Sequence, residues 1–193
     1  YISGTDEVSY GQAKLVIFDI SDPSNPAYVG SYTHSNESYC VGLDVSGNYA
    51  YLATRDYSTG DRRAGLIIVD TTDPINPSKE GIYVSADLDT WASYVAVRED
   101  YAYLSGNVTR IIDISTPSIP SEIYSGGQQG NEIRISGNCA YLGKSGLFVW
   151  DVSDPYAPTQ VGYYYDGLGS AVEVAGNFGC IISLKPNAGG WIL

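Results

Sequence analysis

Residues 55–65 read RDYSTGDRRAG, placing Arg55, Arg62 and Arg63 on one short stretch of a chain that otherwise holds few cations. A guanidinium presents a planar fork that grips a carboxylate through two parallel hydrogen bonds, so this stretch is suited to holding an acidic group. Asp56 and Asp61 stand in the same stretch, and the competing reading is a solvated loop whose charges pair internally. Tyr57 lies among them, while Tyr39 and Trp91 sit beside other irregular stretches. Tyr and Trp offer rigid contact area with a polar tip, useful against a glycan or a protein surface. Gln128 and Asn131, in SGGQQGN (125–131), complete a candidate binding set of Tyr39, Arg55, Asp56, Tyr57, Arg62, Arg63, Trp91, Gln128 and Asn131. Tyr10, Tyr32, His34 and the run Tyr163–Tyr165 are further aromatic residues near the same stretches. For strand residues such as Tyr51 and Tyr163, packing is the better expectation.

Acid–base and metal chemistry find less support. His34 is the only histidine, so a Ser/His/Asp arrangement would have to use it, and no G-x-S-x-G turn is present. No catalytic residue is assigned. Asp6 with Glu7, and Asp87 with Asp89, are carboxylate pairs, but neither belongs to a D-x-D-x-D-G calcium series. Cys40, Cys139 and Cys180 form no C-x-x-C pair, which argues against a structural zinc, and all three are expected as buried free thiols. No metal and no cofactor is expected. Net charge of −12 repels a phosphate backbone, which argues against nucleic acid as partner. No run of about 18 apolar residues spans a membrane, and no basic segment followed by an apolar one reads as a signal peptide.

The elements that must position these residues announce themselves by repetition. DISDPSNPAYVGSY from Asp19 returns as DTTDPINPSKEGIY from Asp70, DISTPSIPSEIYSG from Asp113 and DVSDPYAPTQVGYY from Asp151. Spacings of 51, 43 and 38 residues fall in the range of solenoids and propellers. Eight of the nine prolines stand four and seven residues beyond these aspartates. Between the corners, VSGNYAYLAT, VREDYAYLSG, ISGNCAYLGK and VAGNFGCIIS recur, and each Asp follows an apolar run such as KLVIF or GLIIV.

Each period reads as four short strands. The first type is YCVGLDV (39–45), SYVAVRE (93–99), NEIRIS (131–136) and SAVEVA (170–175). A tight SGN or RED turn leads to the second type, YAYL. The third is apolar on both faces, as in a strand covered on both sides. It must stop at D-x-x-D-P-x-x-P, because proline has no N–H for the ladder. Asp22, Asp73 and Asp154 are expected to accept backbone amides there rather than bind metal; Thr116 stands at that place in the third copy. Helical periodicity is absent. The expectation is an all-β fold, a β-propeller of four-stranded antiparallel blades.

The apolar run, the VDISDPxxP-like corner and the VSGNYAYL-like hairpin resemble the LVIVP-repeat propellers of bacterial and archaeal surface proteins, and the resemblance covers the whole chain. It implies a secreted or surface-attached repeat protein and brings no catalytic motif.

Tyr1 opens in a second-type strand and Leu193 closes in a third-type strand, so residues 1–193 are expected to form one propeller region beginning and ending mid-blade. About four to five blades are covered, with eighteen strands in all, as part of a larger ring. Further blades or copies of the same protein would then cover the ends; the alternative is a five-bladed ring with imperfect ends.

Turns between first and second strands, and between third and fourth, are short and uniform. The loops on the opposite face vary, and variable loops on a rigid scaffold are where binding resides. Sequons at Asn36 and Asn107 fall on predicted loops of that face and mark candidate glycosylation sites. The expected function is an extracellular or cell-surface interaction or structural module, not an enzyme, that binds a protein or glycan through this face. The alternative is a fragment of an extracellular propeller hydrolase or lyase, with its active site outside this chain or at the ring centre.

Overall fold

The computed structural model describes residues 2–5, 12–34, 38–58, 61–165 and 168–184. These residues form seventeen strands and contain no helix. A first sheet holds β1 (Ile2–Thr5), β2 (Ala13–Asp19) and β3 (Ala27–Thr33). Three complete blades follow. The first has β4 (Ser38–Ser46), β5 (Tyr49–Asp56), β6 (Arg63–Asp70) and β7 (Ser78–Val84). The second has β8 (Ala92–Arg98), β9 (Tyr101–Gly106), β10 (Thr109–Asp113) and β11 (Ser121–Gly126). The third has β12 (Glu132–Ser136), β13 (Cys139–Gly143), β14 (Gly146–Asp151) and β15 (Thr159–Tyr165). A two-stranded sheet of β16 (Leu168–Ala175) and β17 (Phe178–Leu184) closes the described chain. All pairs are antiparallel and sequential. The eighteenth expected strand, at 190–193, and Tyr1 lie outside the described residues, as does Asn36.

The recurring phrases become recurring geometry. Gly47, Gly137 and Gly176 turn the first hairpins with φ of 57°, 55° and 57°. Glu99 takes the same place at φ 52°, a left-handed conformation that glycine adopts more readily. At the opposite turn, Asp19, Asp70, Asp113 and Asp151 each accept the amide two residues on, from Ser21, Thr72, Ser115 and Ser153, at 2.8, 2.8, 2.9 and 2.8 Å. Asp22, Asp73 and Asp154 accept from Ser24, Ile75 and Tyr156, each at 3.0 Å. Backbone amides hold the carboxyls of Asp19, Asp70 and Asp151 below the ordinary value, while at Asp22 and Asp73 the Ser24 hydroxyl and the Asn76 side-chain amide do most of this, with the backbone amides second. Thr116 keeps the backbone turn, donated by Ile119, without a carboxylate.

Leu66, Ile67, Ile68 and Val69 are all buried, as a strand with a blade on either side requires. Tyr51 is buried in the layer between the first two complete blades. Each blade also tucks the residue after its anchor aspartate beneath its own hairpin: Thr71, Ile114 and Val152 donate to the carbonyls of Asn48, Asp100 and Asn138 at 2.8 Å each. Ile20, at that place in the first sheet, is 69% exposed.

Two expectations are corrected. Cys180 is exposed and Cys40 and Cys139 are half-buried, rather than all three being buried, because Cys180 lies on β17, beside which no further described strand packs. Tyr163 is 71% exposed, since it stands on the outermost strand of its blade, where its ring stacks on that of Phe148.

Candidate functional site

Innermost strands lie beside one another: β4 by β8, β8 by β12, and β12 by β16. The loops between β5 and β6 and between β7 and β8 therefore meet at the junction of the first two complete blades. Arg55 and Asp56 prove to be strand residues, paired with Ala64 and Arg63, and the connecting loop shrinks to 57–62. Opposed residues share a face and neighbours alternate, so this pairing splits the arginine-rich stretch. Tyr39 and Arg55 are opposed and face the second complete blade, where Arg55 Nε reaches the Ala92 carbonyl at 3.5 Å. Asp56 and Arg63 point to the other side of the sheet.

The junction gathers five of the nine candidates. The Arg62 guanidinium lies over the Trp91 indole, 4.4 Å from its centroid, a cation–π contact. The Tyr39 and Tyr57 rings meet edge to face at 5.6 Å. Arg55 completes the group. Trp91 is fixed from behind: its amide donates to Asn107 Oδ1 at 3.1 Å, and its carbonyl accepts from the Asn107 amide at 3.3 Å. Thr90 locks the same loop, accepting from the Ala64 amide at 3.0 Å and donating to the Asp87 carbonyl at 3.0 Å.

The other candidates fall elsewhere. Asp56 is buried, and its carboxylate receives the Ser58 amide at 3.1 Å and the Ser58 hydroxyl at 2.6 Å, which makes it a turn cap. Gln128 and Asn131 stand one blade further on; the Gln128 carbonyl accepts from Thr109 and the Asn131 amide donates to the Gly143 carbonyl. His34 is 3% exposed, with Nδ1 2.9 Å from the Tyr32 hydroxyl. Burial lowers its pKa, Lys79 acts in the same sense and Asp56 opposes.

Charges on the innermost strands form a second cluster, at positions of the repeat that sequence inspection passed over. Asp44, Ala96, Arg134 and Glu173 occupy one register position, opposite Tyr51, Tyr103, Tyr141 and Cys180. Arg134 lies over the Tyr94 ring at 4.6 Å, pairs with Glu132 at 2.5 Å and reaches Glu173 at 3.2 Å. Asp44 accepts the Val97 amide at 2.7 Å, and Glu132 accepts the Val172 amide at 3.1 Å, so carboxylates cap the edge of the next blade. Cavities of about 240 and 260 Å³ flank Arg134. The groups that converge here are spent on one another, which is what a clamp between blades needs. A third network centres on a buried cation: Arg110, 1% exposed, pairs with the exposed Asp87 at 3.2 Å and the half-buried Glu122 at 3.1 Å, and Glu122 accepts the Tyr83 hydroxyl. Among the described residues, no three His, Cys, Asp or Glu side chains are grouped as metal ligands, and no helix is long and apolar enough to cross a membrane.

With this geometry in view, comparison with known proteins is informative. A family model described as LVIVD repeat matches residues 8–34, 39–85, 91–125 and 127–166. The last three matches coincide with the three complete blades. No curated protein matches the chain in sequence. Among solved structures, the computationally designed Ika4 protein is similar in fold, with a TM-score of 0.55 at 12% identity over 78% of this chain and 87% of that one.

Proposed function

The chain belongs to the LVIVD repeat family of β-propellers, and we propose that it works as a binding module, engaging a protein or glycan through the variable loops at the junction of its first two complete blades. The observation that carries this reading is the convergence there of Arg55, Arg62, Tyr39, Tyr57 and Trp91 from separate strands and loops, on a backbone held rigid by the Asn107 and Thr90 bonds. Aromatic and arginine side chains are enriched where proteins bind, and scaffold-held loops are where binding concentrates.

A role in binding rather than catalysis is supported by the axial charges. Arg134 is held between Glu132 and Glu173, and Glu132 also accepts the Val172 amide of the next blade, so these charges serve to clamp one blade to another. An extracellular setting is supported by the two sequons at Asn36 and Asn107, of which Asn107 lies on the loop behind Trp91. The test is an amide hydrogen-exchange footprint of the bound partner. Protection concentrated in 55–64 and 85–92 supports the reading, and protection confined to the corners at 19–27, 70–78 and 113–121 overturns it.

A further inference from the structure

We infer that the junction site recognises a sugar carboxylate, a single uronate unit within a glycan, with Arg62 and Arg55 as its anion-binding groups. This rests on the binding-module reading above and names the ligand class for that same face.

The chain has six arginines. Arg98, Arg110 and Arg134 each have a carboxylate within 4.0 Å. Arg55, Arg62 and Arg63 have none among the described residues, although the chain carries 22 acidic residues. Moreover, the Nε of Arg62 is buried without a hydrogen-bond partner among the described residues. A buried, unpaired donor is costly unless something supplied from outside satisfies it. Arg62 also rests over the Trp91 ring, 4.4 Å from its centroid, so its guanidinium is placed before any ligand arrives.

Surroundings narrow the class. Asp61, Asp87 and Asp89 lie in the same two loops, so a polyanion is repelled while a single carboxylate is still drawn to the unpaired guanidiniums. Beside the cations stand the Tyr39 and Tyr57 rings, amphipathic surfaces that suit the apolar face and hydroxyl rim of a sugar. The combination of a lone anion subsite and adjoining aromatic rings matches an acidic sugar among neutral ones better than an acidic peptide.

The experiment titrates the full chain with short oligosaccharides carrying one glucuronate, galacturonate or mannuronate, each beside its neutral methyl ester and a sulfated counterpart, and with an acidic peptide of equal charge. Expected is binding of at least one uronate, weakened about 10- to 100-fold in its methyl ester and by Arg62→Gln or Arg55→Gln. Arg62→Lys, which keeps charge and ring contact but loses the fork, is expected to lose most of that affinity. An unchanged melting temperature in each variant separates lost contact from lost fold. Equal binding of acid and ester, preference for the sulfated sugar or the peptide, or no binding across the panel overturns the inference. A neutral glycan or protein whose binding falls in Trp91→Ala but not in Arg62→Gln would overturn it while leaving the binding face in place. Binding insensitive to Trp91→Ala would bring down the face itself.

Discussion

Substituting Gly81 by Ala is expected to cost about 3 kcal/mol, while the same change at Gly162, its counterpart two blades on, is expected to fall within about 0.5 kcal/mol of neutral. Both glycines lie in the outermost strand of a blade, just past the bulge after the corner, and neither has a positive φ. Conformational freedom therefore cancels in the comparison. What differs is the neighbour. A β-carbon on Gly81 would overlap the Pro117 carbonyl oxygen, and would lie 3.1 Å from both the Pro117 carbonyl carbon and Pro120 Cδ, in the corner of the next blade. On Gly162 the nearest atom among the described residues would be Val149 Cβ at 3.8 Å, an ordinary contact. Gly30 repeats the Gly81 situation against the Pro74 and Ile75 backbone. The obstruction is main chain and cannot rotate aside, so the blades must part, and such overpacking costs about 1–3 kcal/mol or more. For a chain of this length that is roughly 6–12 °C in Tm. Urea unfolding followed by circular dichroism on the two variants reads the difference. Equal stabilities within about 0.5 kcal/mol would refute the corner-to-blade packing from which the difference is calculated.

Three further outcomes follow from the same geometry. Arg110→Ala removes a buried cation that pairs with the half-buried Glu122 and the exposed Asp87 and is expected to destabilise by about 1–3 kcal/mol, measured by denaturant unfolding, through the lost packing of its stem and the Glu122 carboxylate left without its partner. Since burial depresses the His34 pKa, the unfolded chain binds the proton more readily. Stability is therefore full above about pH 6.5 and falls as the pH drops from there through the lowered folded value, and His34→Asn is expected to flatten that slope in melts between about pH 7 and 5. Because the corner carboxylates are occupied by backbone amides, calcium titration is expected to leave Tm unchanged; a rise abolished by Asp73→Asn would contradict this.

The blades were legible because their signals are local and repeated. Proline at fixed offsets from Asp19, Asp70, Asp113 and Asp151, glycine in the hairpins and doubly apolar third strands each dictate one element, and the period ties them together. The site was legible in composition but not in placement. A loop drawn from Arg55 to Gly65 concealed two more strand pairs, Arg55 with Ala64 and Asp56 with Arg63, and strand alternation then sent Arg63 and Asp56 to the opposite face. Sequence has no means of showing that Arg62 would lie on Trp91, 29 positions away, because that contact is made between blades. The axial charges were readable in principle. Asp44, Ala96, Arg134 and Glu173 stand at one position before the hairpin turn, but a position that varies from minus to plus attracts no notice until the strands stand side by side.

The most direct measurement compares partner affinity in two matched double variants, one on each face of the propeller. Trp91→Ala with Tyr57→Ala strips the variable-loop junction, and Asp73→Asn with Asp154→Asn alters the uniform corners. The account predicts that the first loses about tenfold or more in affinity while the second binds as the wild type does. Loss in the corner variant with full binding in the junction variant would contradict it.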